Sequence, residues 1–297
     1  MKLFAIEGNI QKLDGGAMYG NAPREVWKKW SPPDDLNRIT LACRGLLFET
    51  DDGRNILFET GIGSFFEDKL KERYGVSPRE HALLENLRKV GVSDADIDVV
   101  VLSHMHFDHA GGGIEVVDGK PRLLFPKAKF LLGRKHWQRA QNPHFRDKAS
   151  FIPAINELLA ASGRLTLIDD GKKHELAPLV TFSFSDGHTP GLMISTIELP
   201  GGPLAFVADL IPALPWVRAA ITMGYDRFPE LLIDEKRALL ETLACAGGSV
   251  FFTHDPEILA GKVIRDDKGQ PAVSPVDRKA KAQEHTTGLR IGCVDIG

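Results

Sequence analysis

Residues 99–113, VVVLSHMHFDHAGGG, decide how the chain is read. The run Val99, Val100, Val101, Leu102 has the length and β-branched content of a buried strand, and it stops at Ser103. Beyond it four metal-binding side chains, His104, His106, Asp108 and His109, fall within six residues. In an extended segment His104 and His106 project to the same side, so two imidazoles can grip one ion, while Asp108 and His109 on the following turn reach a second. Gly111, Gly112 and Gly113 then let the backbone turn tightly. Exposed imidazoles packed this densely would repel one another once protonated, so a metal accounts for the cluster better than solvation does.

Three further strand ends supply the rest of a ligand set. Residues 181–185, TFSFS, alternate as a strand and run into Asp186, Gly187, His188, Thr189, Pro190 and Gly191. Residues 204–208, LAFVA, end at Asp209, and residues 249–253, SVFFT, end at His254. HMHFDH followed by GHTPG, a strand-ending Asp and a late His resembles the metallo-β-lactamase superfamily of metallohydrolases, over about residues 38–254. The resemblance implies an α/β fold, the four-layer αββα sandwich of two facing sheets with helices outside. It also implies two divalent metal ions: one held by His104, His106 and His188, the other by Asp108, His109 and His254, with Asp209 bridging. Zinc is the expected metal, although imidazole and carboxylate also accept Fe, Mn or Co. The implied chemistry is attack by a metal-bridged hydroxide on an ester, lactone, thioester, amide or phosphoester, with Asp108 or Asp209 passing the proton to the leaving group.

HMHFDHAGG and the span 209–230 most resemble the N-acyl-homoserine lactonases and the related organophosphate hydrolases, so a small acyl substrate such as an N-acyl-homoserine lactone is expected. Many such lactonases place a tyrosine three residues after the bridging Asp to polarise the lactone carbonyl. Here that position is Pro212, which has no donor, and Tyr225 is the candidate replacement. Met18, Tyr19, Phe107, Trp216 and Met223 would suit either an acyl pocket or ordinary core packing. A glyoxalase-II-like thioesterase is one alternative, but it usually adds a helical domain for which the 43 residues after His254 are scant. A phosphotriesterase is another. A non-catalytic ligand-binding regulator is the alternative of a different class, and the complete ligand set argues against it.

Composition agrees with a globular enzyme of a small-molecule substrate. The 297 residues are 43% hydrophobic and 26% charged, with a net charge of −3. No Lys/Arg cluster stands out, which counts against nucleic acid as a partner. No apolar run approaches a membrane span, and the first residues reach Glu7 too early for a signal peptide, so a cytoplasmic protein is expected. Cys43, Cys245 and Cys293 are widely spaced and read as reduced, buried thiols. Ligands spread from 104 to 254 imply one compact unit, hence a single hydrolase domain over 1–297.

Around the motif, residues 1–10 read as a strand. Residues 11–37 read as a loop, serving either as a lid over the site or pinned to the core by Trp27 and Trp30. Residues 41–49 and 55–59 read as a hairpin about Asp51, Asp52 and Gly53. The superfamily usually has Asp at the position of Glu59, where it orients a ligand histidine. The longer Glu59 either keeps that role with a shifted backbone or is a strand-end residue exposed to water. A helix is expected over 77–90, capped by Ser77 with His81 exposed on its first turns, and further helices over 133–140, 151–161 and 234–244, the last capped by Asp234. His136 and Trp137 would reach the site mouth or pack. His144 and His174 read as surface residues, residues 265–269 as a hairpin turn, and His285 as part of a polar tail.

Overall fold

In the computed structural model, which describes residues 1–277 and 291–293, Val99–Val101 is a strand with all three side chains buried. Its neighbours on both sides, Asn55–Phe58 and Lys129–Gly133, run parallel to it, which explains an uninterrupted apolar run in place of alternation. These strands belong to a seven-stranded sheet whose spatial order is Leu165–Ile168, Lys129–Gly133, Val99–Val101, Asn55–Phe58, Gly45–Glu49, Lys2–Ile6 and Ile291–Cys293. The pair Gly45–Glu49 and Asn55–Phe58 is the expected hairpin, turning at Gly53 with φ +83°. Leu41 lies outside it, in the strand Arg38–Ala42.

The described residues fall into two compact units. The first comprises residues 1–11, 42–172 and 291–293, and contains the seven-stranded sheet. Leu83 and Leu87 of the helix Ala82–Lys89, and Ile155 and Leu159 of Pro153–Ser162, pack with Val100 and Phe130 into its core. The helix expected from residue 77 starts at Ala82 instead, because Ser77 is held extended. Its N–H and carbonyl both pair with Ile10, at 3.1 and 2.7 Å. His81 takes the cap position: its Nδ1 accepts from Leu84 N–H at 3.4 Å, so Nε2 carries the hydrogen and donates to the Gly112 carbonyl at 2.9 Å. His81 is therefore a strut under the glycine turn, with its pKa pushed down by burial, and not an exposed helical residue.

The second unit comprises residues 12–41 and 173–277. Its six-stranded sheet runs Val180–Ser185, Leu192–Ile197, Leu204–Phe206, Ser249–Phe251, Ile258–Arg265 and Pro271–Asp277, with the last two joined by the expected turn at Gly269. The helix Pro229–Ala246 buries Leu232, Leu240 and Leu243. It begins five residues before the expected Asp234, with Pro229 in its first turn, and ends at Gly247, φ +61°. Residues 11–37 are largely structured, containing most of the strand Ile10–Asp14 and the helical turns Gly15–Tyr19 and Arg24–Trp27. Tyr19 stacks between Trp27 and Trp216, centroids 5.3 and 4.3 Å away, and Met18, Tyr19, Trp216 and Met223 all belong to the core of this unit. Packing thus claims four of the five candidate pocket residues, and Phe107 sits in a small cluster of the first unit with Cys43, Ile62 and Val76.

Cys43 is a buried thiol, not in a disulfide. Cys245 is also a thiol outside any disulfide but is exposed on its helix, contrary to the expectation of buried thiols. The side chain of Cys293 and the whole of His285 lie outside the described residues. Among the described residues no helix is long and apolar enough to cross a membrane.

Candidate metal centre

In the first unit the ligand run follows the central strand directly. Leu102 N–H still pairs with the Leu131 carbonyl at 2.9 Å; His106 then occupies the cap position of the single turn Phe107–Ala110, which carries Asp108 and His109. His104 Nε2 and His106 Nδ1 lie 3.0 Å apart, and His109 Nε2 is 3.8 Å from Asp108 Oδ1. All four residues are buried. The turn can pass beneath them only because residue 112 is glycine: a Cβ there would lie 2.0 Å from the Thr60 carbonyl oxygen.

Glu59 organises this group from behind. Fully buried rather than water-exposed, its carboxylate accepts from His109 Nδ1, from Ser103 Oγ, and from Ser103 N–H at 3.2 Å. Ser103 Oγ in turn is 2.8 Å from His104 Nδ1, so one carboxylate sets two ligand rings. Glu59 itself has φ +64°, a left-handed conformation that costs a non-glycine residue about 1–2 kcal/mol. Thr60 fixes the His109 backbone, its N–H and Oγ1 both donating to that carbonyl at 3.0 Å. His136 is buried; its Nε2 accepts from Met105 N–H at 2.8 Å, bracing the segment between His104 and His106. His144 is exposed, as expected, and His174 is half-buried against Phe182, its pKa lowered by burial.

In the second unit His188, Asp209 and His254 converge. His188 Nε2 is 3.2 Å from Asp209 Oδ2 and His254 Nε2 is 3.1 Å from Asp209 Oδ1. The GHTPG turn bearing His188 is tied by Glu235 of the long helix, whose carboxylate accepts from Ser185 Oγ at 2.6 Å, Asp186 N–H at 2.8 Å and Gly187 N–H at 3.0 Å. Gly187 lets that helix approach, because a Cβ would lie 2.4 Å from Leu232 Cα. Asp209 follows its strand through Ala208, another non-glycine residue with positive φ, +42°. His254 is anchored by its N–H to the Pro212 carbonyl at 3.0 Å. Tyr225 is 41% exposed and directly precedes buried Asp226, whose Oδ1 is 2.9 Å from His188 Nδ1.

The donor sets fit divalent metal ions. In the first unit His104 Nε2 faces His106 Nδ1 and His109 Nε2 faces Asp108 Oδ1, and in the other unit an imidazole nitrogen faces each oxygen of the Asp209 carboxylate. All seven ligand positions read from the sequence are buried, and those within each unit are gathered together. Three contributors escaped sequence reasoning: Asp226, Glu235 and Gln11, whose Nε2 donates to Asp108 Oδ2 at 2.5 Å. None sits in a local motif.

Buried imidazoles and carboxylates at strand ends, backed by further carboxylates, define a metal-dependent hydrolase. The model of the metallo-beta-lactamase superfamily matches residues 42–254, and the chain belongs to that family. N-acyl homoserine lactonase AiiB of Agrobacterium fabrum is 30% identical over 286 residues, which cover 90% of this chain and 98% of that protein. N-acyl homoserine lactonase AiiA of Bacillus thuringiensis subsp. kurstaki is 25% identical over 240 residues, covering 76% and 85%. Among solved structures, a probable metal-dependent hydrolase from Staphylococcus aureus superposes with a TM-score of 0.83 at 26% identity, covering 94% of this chain and 97% of that one. The chain is a metal-binding hydrolase with the family's sandwich fold.

Proposed function

We propose that the chain hydrolyses N-acyl-homoserine lactones with two divalent ions, zinc being the expected metal, held by the seven ligands identified above. The observation that carries this reading is identity to a lactonase maintained over 98% of that protein's length. The reading makes the whole chain, residues 1–297, one hydrolase domain. Bound divalent ions supply Lewis acidity and bring the pKa of water toward neutrality.

The chain's own residues supply the rest. Glu59 and Asp226 hold His109 and His188 with Nδ1 engaged, which leaves Nε2 as the donor atom of each. Asp108, whose Oδ2 accepts from Gln11, would take a proton from the attacking water and return it to the leaving alkoxide, which departs as the alcohol. Pro212 offers only a carbonyl, already used by His254, so Tyr225 polarises the lactone carbonyl; its exposure keeps the phenol accessible to a ligand.

The test is metal analysis of the purified chain together with turnover of N-acyl-homoserine lactones, aryl esters, thioesters and phosphotriesters. The expected result is bound metal and the highest kcat/KM on the lactones. Less than about one ion per chain after reconstitution, or a preference for another substrate class, overturns the reading.

A further inference from the structure

Asp226 lies in the turn leading into the long helix, with its side chain 1% exposed. A buried carboxylate is retained only with directed partners, since an unpaired one costs several kcal/mol. Its partners are well defined. Oδ1 is 2.9 Å from His188 Nδ1, Oδ2 accepts Met223 N–H at 2.6 Å, and the Asp226 N–H donates to the Met223 carbonyl at 3.1 Å. The two following residues are stitched to the segment that carries His188: Arg227 N–H donates to the His188 carbonyl at 3.1 Å and Phe228 N–H to the Gly187 carbonyl at 2.8 Å. Backbone pairing therefore places the carboxylate against the ring, and the side chain fixes the ring itself.

A carboxylate only accepts, so with the hydrogen of His188 on Nδ1 facing Asp226, Nε2, on the side of Asp209, is the atom that would bind a metal ion. Without Asp226 the ring could flip or adopt the other tautomer, and Nε2 would no longer be a prepared donor. Resting on the reading of His188 as a metal ligand, we infer that Asp226 is a positioning residue that fixes the tautomer and plane of His188 and so sets the affinity of its metal site. It does for His188 what Glu59 does for His109, from the opposite half of the ligand set. Lys236 supports it at one remove by holding the carbonyls of Trp216, Arg218 and Ile221, in the segment that leads to the Met223–Asp226 turn.

The competing role for Asp226 is as a brace for its own turn through Met223. A double-mutant cycle separates the two. Zinc affinity is measured on the full chain by competition with a chromophoric chelator for wild type, Asp226→Ala, His188→Ala and the double variant. The expected result is a loss of about 10–100-fold in Asp226→Ala, the range for removing a carboxylate that orients a ligand histidine. The double variant should bind within about twofold of His188→Ala, because the carboxylate has no ring left to act through. Unchanged affinity in Asp226→Ala, or losses that multiply in the double variant, overturns the inference. If Asp226→Ala does not fold, Asp226→Asn keeps the side-chain volume and is expected to lose part of the affinity; wild-type affinity in it overturns the inference equally. The readout needs no substrate. A wild-type chain that binds zinc tightly and opens no lactone would sink the proposed activity while leaving the result for Asp226 standing.

Discussion

Replacing Lys236 by methionine tests how the segment leading to Asp226 is held. The ammonium is wholly buried on the long helix and donates to the carbonyls of Trp216 at 2.9 Å, Arg218 at 3.1 Å and Ile221 at 2.8 Å. Methionine matches its length but offers no donor, so the carbonyls of Trp216 and Ile221 lose this partner, at about 1–3 kcal/mol each, while the Arg218 carbonyl keeps the Ile221 N–H at 3.0 Å. Against this stands the cost of burying the charge: burial pushes the Lys236 pKa down from 10.5 to about 8, which at about 1.4 kcal/mol per unit amounts to roughly 3 kcal/mol. At the middle of that range the carbonyl loss, about 4 kcal/mol, is the larger, and a net destabilisation of about 1 kcal/mol is expected at pH 7. The pH dependence has a definite sign. Between pH 8 and 10.5 the unfolded chain holds this proton and the native chain has released it, so the lysine's contribution to stability rises with pH. Urea denaturation of both proteins across that window should show the wild-type advantage widening by up to ~3 kcal/mol, and hydrogen exchange should quicken at the amides of 216–226 in the variant. A variant as stable as wild type at pH 7, or a difference that stays flat to pH 10.5, would refute the reasoning.

Tyr225→Phe should lower kcat on lactones at least about tenfold with metal content unchanged, as expected for a lost carbonyl donor. Unaltered kinetics would leave carbonyl polarisation to the metal. His106→Ala and Asp209→Ala should abolish hydrolysis, whereas Cys245→Ala, on an exposed helix face, should not change the rate; wild-type turnover in Asp209→Ala would show the bridging ligand to be misplaced. Gly187→Ala sets a Cβ 2.4 Å from Leu232 Cα, so either the helix or the GHTPG turn must move. A loss of about 1–3 kcal/mol in stability is expected by denaturation, as for overpacking elsewhere, and an unchanged midpoint would contradict the packing. Tyr19, buried between two tryptophans, has its pKa raised to about 12 from the usual 10, chiefly by burial. It stays protonated in the native chain where the unfolded chain ionises, so its contribution is full below pH 10 and is lost as pH climbs through about 12. Ultraviolet titration should show one tyrosine ionising late, and normal titration of all three would exclude this burial.

The candidate ligand positions were legible because residue type and position coincide locally. An apolar run that stops at a histidine or aspartate marks a strand end, and four such ends in order propose a ligand set without any knowledge of tertiary contacts. The orienting residues were not legible for the opposite reason. Asp226 meets its histidine across 38 positions and Gln11 meets Asp108 across 97, and nothing in the neighbouring sequence distinguishes either from a solvated polar residue. Glu59 lay between the two cases: its place was visible, but whether its carboxylate turned to His109 and Ser103 or to water was a matter of tertiary contacts. Helix starts failed at Ser77 and Asp234, where good local caps were overruled, one by pairing with Ile10 and the other by a helix continuing back to Pro229. Tyr19 and Trp216 had the same composition as a pocket lining, and only their mutual stacking identified them as core.

The sheet of the first unit places Ile291–Cys293 beside Lys2–Ile6, with Leu3 opposite Ile291. During synthesis Lys2–Ile6 can pair with Gly45–Glu49 early, but its other edge has no strand from this sheet until the ribosome has passed Cys293. An open edge is a template for pairing with other chains, so the nascent protein carries an aggregation hazard for most of its translation. Closing so distant a pairing adds little to the equilibrium cost, because the entropy of loop closure grows only with the logarithm of length, but it delays the final step of folding. Premature termination shortly before residue 291 would leave both ligand groups encoded and that edge bare. Such a fragment is expected to be lost through association with other chains before any defect in its chemistry could be observed.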